Sequence, residues 1–188
     1  MSNRFVWFRK WISGKQRIED IARESGYSSR QLRRWFDEYL CNAPKWKIQH
    51  RETYRVLVDG TWLDDRCCLV VYRDAVSKST IYYRFAEDEN EHEIIKDLQA
   101  FKTMRLRISS FTTDGGNDII RAYIHLHRAI PDMFKYIDAP DVPNNTNSLE
   151  SFFGHLKDNL RIHRGLSREH QKDFIKWYLY FADEKKKK

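Results

Sequence analysis

Apolar residues recur along this chain in two rhythms, and the change from one to the other divides it. In IEDIARESGYSSRQLRRWF, residues 18–36, Ile21, Ala22, Leu32 and Trp35 fall at helical spacing on either side of Gly26. That pattern predicts two helices joined by a tight turn, with small Ala22 where the helices meet and Gly26 free to take a left-handed conformation. The second helix is expected to start with Ser28 or Ser29 as N-cap and to run to about Leu40, since a serine oxygen there accepts from the first free backbone N–H groups. This is the layout of a helix-turn-helix, with Leu32 and Trp35 turned inward and Arg30, Arg33 and Arg34 outward. Pro44 marks a linker over 44–53.

Past the linker the rhythm becomes that of strands. Apolar runs at 54–59, 67–72 and 80–85 predict three consecutive strands, with polar 74–79 turning between the last two. Asn90 is a candidate cap for a helix that buries Ile94, Ile95, Leu98 and Phe101. A strand at 106–113, a helix at 117–129 and a short strand at 134–138 are expected next. Pro140 and Pro143 then break the chain before a helix whose Leu149, Phe152, Phe153, Leu156 and Leu160 form one apolar stripe. A last helix at 168–181 is expected to bury Phe174, Trp177, Tyr178 and Phe181. Three strands followed by alternating helices and strands define an α/β domain, in the order of a ribonuclease-H-like mixed sheet. The expected organisation is a helix-turn-helix module over 1–43, the linker, a catalytic domain over 54–184 and a basic tail over 185–188.

Charge adds a division of labour. Residues 1–51 carry 12 Lys+Arg against 5 Asp+Glu, whereas residues 52–188 carry 22 of each, so the whole net charge of +7 resides in the N-terminal part. A head that seeks polyanions precedes a body with no such bias. The three cysteines, Cys41, Cys67 and Cys68, lack the spacing of a zinc site, and Cys67 and Cys68 within an apolar run read as reduced core residues. No apolar stretch approaches the roughly 18 residues of a membrane span, so a cytoplasmic protein without a membrane partner is expected.

The chemistry-bearing residues are acids. Asp59 and Asp114 each follow a strand-like run and precede a glycine, so both are expected to end strands at one carboxyl edge of the sheet, where ligand sites of open α/β sheets collect. Asp-Gly is equally a common turn. Glu150 stands one residue off the apolar stripe, and Gly154, Lys157 and Arg161 follow it at i+4, i+7 and i+11 on the same helical face. Asn147 to Glu150 is also a capping-box pattern, in which Glu150 would only satisfy the start of the helix.

Three segments tip this balance: VDGTW at 58–62, TTDGGN at 112–117 and NNTNSLESFFGHLKDNLRIHRGLS at 144–167. Together they resemble insertion-sequence transposases of the Asp-Asp-Glu type, closest to the Mutator-like group, and the 35 residues between Asp114 and Glu150 are similar to the spacing in that superfamily. The likeness runs over about residues 15–181. It implies that Asp59, Asp114 and Glu150 are the catalytic triad and hold two Mg²⁺ ions, for which Mn²⁺ can substitute. It further implies a DNA transposase that binds element ends and target, and that cuts and joins strands by metal-dependent phosphodiester chemistry. Its DNA contacts would come from Ser29, Arg30, Arg33 and Arg34 and from Lys157, Arg161, His163 and Arg164. Synapsis of two ends implies a homodimer or higher oligomer on DNA, associated with the nucleoid. Two departures stand out: many relatives carry a long helical insertion between the second Asp and the Glu, and many have a zinc ribbon ahead of the helix-turn-helix. The alternatives are a domesticated, non-catalytic DNA-binding regulator and a ribonuclease-H-like nuclease with another substrate.

Overall fold

A computed structural model describes residues 3–48, 51–87, 91–113 and 145–184. In chain order its elements are α1 (Asn3–Ser13), α2 (Ile18–Ser25), α3 (Ser29–Leu40), β1 (Tyr54–Asp64), β2 (Cys67–Asp74) and β3 (Thr80–Ala86). There follow α4 (Glu91–Thr103), β4 (Ile108–Thr112), α5 (Asn147–Ile162) and α6 (Arg168–Glu184). The protein is thus a mixed α/β chain. Asn90 and the helix and strand expected at 117–129 and 134–138 lie outside the described residues.

Two compact units divide the chain: Met1–Lys47 together with Phe152–Lys188, and Ile48–Ser151. The expected boundaries run differently, because residues after 151 group with the N-terminal helices rather than with the strands. The reason is an aromatic cluster. Phe8 of α1 is fully buried, with its ring centroid 5.6 Å from that of Phe36, 4.9 Å from Tyr39 and 5.2 Å from Trp177. The Trp177 indole N–H donates to the Tyr39 carbonyl at 2.9 Å, which satisfies the one polar atom that this ring brings inside. Helix α1 itself was not anticipated. Its Phe5, Phe8, Trp11 and Ile12 carry the necessary spacing, but Arg4, Arg9 and Lys10 interleave with them and blur the stripe.

Between α2 and α3, Gly26 takes φ 75° and its N–H bonds the Ala22 carbonyl at 3.0 Å, a left-handed ending that suits glycine. Ser28 caps α3, its hydroxyl accepting from the Gln31 N–H at 3.2 Å. Leu32, Trp35, Phe36 and Leu40 are buried.

The second unit is built on a sheet of order β3-β2-β1-β4, with β1 antiparallel to β2, β2 antiparallel to β3, and β4 parallel to β1. Alternation along the strands turns Tyr54, Val56, Val58, Cys68, Val70 and Tyr72 toward Ile94, Leu98 and Phe101 of α4. Leu57, Leu69 and Val71 occupy the opposite face and are buried as well. One polar knot lies under α4: the Tyr72 hydroxyl donates to Asp97 at 2.8 Å, and Arg84 pairs with the same carboxylate. Burial pushes the Asp97 carboxyl up against the pull of Arg84 and Tyr72, and pushes the Tyr72 phenol well above its ordinary range. Among the described residues no helix is long and apolar enough to cross a membrane.

Candidate functional site

Asp59 does not end its strand. The antiparallel ladder with β2 continues through Gly60↔Val70 to Asp64↔Cys67, because the apolar run 68–72 offers a partner long enough to carry β1 past the glycine. The turn falls later, where the Asp64 carboxylate accepts from the Arg66 N–H at 2.8 Å. On its other side β1 pairs with β4 only as far as Leu57↔Thr112. Asp59 therefore sits two residues beyond the last described β1–β4 pair, on the face of Leu57 and Val71, and is 9% exposed. Asp114 lies outside the described residues.

A second buried acid helps to sort function from structure. Asp74, at the end of β2, accepts from the Arg55 N–H at 3.2 Å, from Arg51 at 2.6 Å and from the Ser77 N–H and hydroxyl at 3.0 and 2.6 Å. Burial pushes its carboxyl up, and the hydrogen bonds from Ser77, Arg55 and Arg51 outweigh this and hold it below the usual range. Its oxygens are committed to closing the hairpin.

Glu150 shares a compact unit with Asp59. The first turn of α5 settles the capping question: the Leu149 and Glu150 N–H groups both bond the Thr146 carbonyl, at 2.7 and 3.1 Å, so Thr146 is the cap residue. Counting from there, the third helical position is Leu149, which is buried, and Glu150 is the fourth. A capping box needs the acid at the third position. The Glu150 side chain is exposed, and among the described residues it makes no hydrogen bond or ion pair. Among those residues no three His, Cys, Asp or Glu side chains form a metal-binding group.

The basic candidates lie in the helical unit. Arg30, Arg33 and Arg34 are exposed on α3, with Arg33 paired to Glu19 at 2.9 Å, and Ser29 is the first residue of the helix. Gly154, Lys157 and Arg161 are exposed on α5, and Arg164 is exposed just after it. A Cβ at Gly154 would meet open space, so no packing contact demands a glycine there. His163 differs from the others. Its ring packs between Trp11 and Phe174, at centroid distances of 4.7 and 5.0 Å, and burial drives its pKa down to about 4 despite a hydrogen bond to the Trp11 backbone. A neutral, sandwiched imidazole is a packing residue, not a cationic phosphate contact.

Two cations join this set that the sequence reading did not single out. Gly14 ends α1 by bonding the Lys10 carbonyl at 2.7 Å, so closely that a Cβ would stand 2.4 Å from that oxygen. The loop then swings Lys15 onto α5, its N–H donating to Asn159 at 3.1 Å and its ammonium to Asp158 at 2.8 Å. Arg17 thereby lines a hollow with Arg161 and Arg164. The basic run Gly14 to Arg17 was the available signal.

Comparison with known proteins adds little to this geometry. No family model matches the chain, and no curated protein matches it. Among solved structures, a chain from the cryo-electron-microscopy structure of the simian T-cell lymphotropic virus intasome in complex with PP2A regulatory subunit B56 gamma is similar at 17% identity, with a TM-score of 0.32. The likeness covers 69% of this chain and 56% of that one, so this chain spans little more than half of its neighbour.

Proposed function

We propose that this protein is a DNA transposase of ribonuclease-H-like fold, in which Asp59, Asp114 and Glu150 hold divalent metal ions for phosphodiester cleavage and strand transfer. The observation that carries the reading is the parallel register of β1 with β4. Leu57 pairs with Thr112, and Asp59 and Asp114 each follow their paired residue by two positions in the sequence. Parallel strands in register advance together, so two acids at equal distance beyond a pair are candidates for one edge. Sheet order β3-β2-β1-β4, with three antiparallel strands and then a parallel one, agrees with the ribonuclease-H-like reading.

The residues suit a hard cation. Carboxylate oxygens are what Mg²⁺ prefers, with Mn²⁺ as a substitute, and the exposed Glu150 side chain is not held in a structural role like that of Asp74 among the described residues. Two bound ions would activate a water or a DNA 3′-hydroxyl and stabilise the leaving oxygen. The chain's own share is to hold the acids on a rigid strand and helix and to bring DNA to them. The α2–turn–α3 pair, with Arg30, Arg33 and Arg34 exposed, supports a helix-turn-helix that docks element ends. Lys157, Arg161 and Arg164 are suited to phosphates, which position DNA without reading its sequence. Assembly as a homodimer or larger complex on DNA belongs to the same reading.

The test is cleavage of DNA carrying the native element ends, with and without Mg²⁺. Asp59→Asn, Asp114→Asn and Glu150→Gln are each expected to lower turnover at least a hundredfold, about 3 kcal/mol, while DNA affinity is retained. Near-normal turnover in any one of them removes that residue from the site. Cleavage of RNA or of any duplex at equal rate would favour a nuclease, and sequence-specific binding without metal-dependent cleavage a regulator.

A further inference from the structure

Besides the exposed arginines of α3, the helical unit holds a second group of cations. The hollow of about 440 Å³ at the end of α5 is walled by Arg17, Arg161 and Arg164, with Asp158 and Ile162 completing it. All five residues belong to one compact unit. The one acid is already engaged: the Lys15 ammonium donates to Asp158 at 2.8 Å and holds that carboxyl below its ordinary range. Arg161 stands 3.9 Å from the same carboxylate, and Arg17 and Arg164 make no ion pair among the described residues. With Asp158 balanced by Lys15, the wall keeps the charge of three guanidinium groups. Arg17 comes from a distant part of the chain and is held there. Asn159, nearly fully buried, accepts from the Lys15 N–H at 3.1 Å and donates to the His155 carbonyl at 2.9 Å, so both ends of its amide staple the α1–α2 loop to α5. Lys15 takes φ 51° at this point, a conformation costly for a residue with a side chain. Two residues on, the Arg17 N–H bonds the Asp20 carboxylate at 3.1 Å as α2 begins. A strained, stapled loop thus presents a guanidinium that no acid among the described residues neutralises.

We propose that Arg17, Arg161 and Arg164 form a clamp for one backbone phosphate of duplex DNA, with Arg17 as a contact that the α1–α2 loop adds to those of α5. Guanidinium groups that share a concavity repel one another until an anion enters between them. A phosphate suits the place, because it offers several oxygens at once and guanidinium forks meet such oxygens with paired hydrogen bonds. A single carboxylate of an acidic peptide has only two oxygens for three forks. A phosphate contact fixes position and carries no sequence information, so the clamp would settle where the duplex lies and leave the choice of sequence to α3. The choice of DNA as the source of the phosphate rests on the function proposed above, whereas the anion chemistry of the hollow does not.

The experiment measures binding of the full chain to a short duplex of random sequence, in EDTA and over a series of salt concentrations, so it is independent of cleavage. Arg17→Ala with Arg164→Ala is expected to weaken binding about tenfold and to make the slope of log affinity against log salt shallower by about one to two. Both side chains are exposed, so folding is not at stake. The control is Arg23→Ala with Lys172→Ala, which removes the same charge from two cations away from the hollow, each paired with an acid of its own helix. It is expected to change affinity by less than about threefold. The tenfold loss should be the same on a duplex that carries the element ends. Equal weakening by the control pair would reduce the hollow to a solvated basic surface and overturn the clamp. A loss confined to one sequence would also overturn it, by assigning base reading to these arginines. So would inorganic phosphate that displaces the duplex better than chloride of the same ionic strength, since the ligand would then be a small anion. A wild-type chain that binds no duplex in any salt refutes the proposed function together with the clamp, whereas a wild type and a double variant that bind equally refute the clamp alone.

Discussion

The two compact units are held together in opposite ways. In the helical unit the interior is aromatic, Phe8, Trp11, Phe36, Phe174, Trp177 and Phe181 forming one cluster, with the neutral His163 imidazole packed into it. In the sheet unit the interior is largely aliphatic, and an ion pair between Arg84 and Asp97 lies inside it with Tyr72 as third member. Rings fill space between helices that cross without a common lattice, since a few large side chains can satisfy an irregular gap. A sheet offers a regular lattice that small β-branched residues already fill, and there a polar pair can fix which way α4 lies across the strands. The first unit should therefore fail when volume is removed, and the second when charge is left uncompensated.

The largest effects should expose this contrast directly. Phe8→Ala should cost about 3–5 kcal/mol through the cavity it leaves, and amide exchange in the full chain should show the loss of protection first in α1, α3 and α6. Arg84→Ala should cost a similar 3–5 kcal/mol by stranding the Asp97 carboxylate, with the loss in β2, β3 and α4. Because burial already raises the Asp97 pKa, the Arg84→Ala deficit should shrink as the pH falls and Asp97 takes up a proton. A deficit of Arg84→Ala that is unchanged between neutral and mildly acidic pH would mean that packing of the guanidinium, not its charge, was the stabilising element.

A smaller effect separates the units by pH. His163 stays neutral in the folded chain down to about 4, against 6.5 for an ordinary imidazole. Between those values the unfolded chain binds the proton that the folded chain refuses. Stability is thus full above about 6.5 and falls as the pH drops toward 4, by at most about 1.4 kcal/mol per pH unit for one proton. Denaturant unfolding between pH 7.5 and 4.5 should show this slope in the helical unit, and His163→Phe should flatten it. If both proteins lose stability in parallel, another group is responsible. The smallest expected effect is local: Ser28→Ala should cost about 1 kcal/mol by removing the cap of α3, and a thermal melt unchanged within a degree would deny the cap any weight.

How far the sequence could be read depended on how local each signal was. The α2–α3 pair was legible almost to the residue, because Gly26 and Ser28 act on backbone groups within three positions of themselves. The strands were legible from alternation, yet the end of β1 was misplaced: Asp59-Gly60 reads as a turn until β2 is laid beside it as an antiparallel partner. The capping role open to Glu150 was likewise undecidable from Asn147-Ser-Leu-Glu150 alone, since a shift of one residue in the helix start moves the acid out of reach. His163 was open to two readings, a phosphate contact beside Arg161 and Arg164 or the structural role more usual for a lone helical histidine, and Trp11 and Phe174, far away in sequence, make it a packing residue.

By itself, the sequence determined the α/β pattern, the basic N-terminal part and the candidate acids, because periodicity, charge and short motifs are properties of neighbours along a chain. Tertiary structure alone decided that residues after 151 join the N-terminal helices in one aromatic core, that Leu57 and Thr112 stand in register, and that Arg17 meets Arg161 and Arg164 around one hollow. Those facts depend on which surfaces bury each other, and burial is settled by residues far apart in sequence competing for the same removal from water.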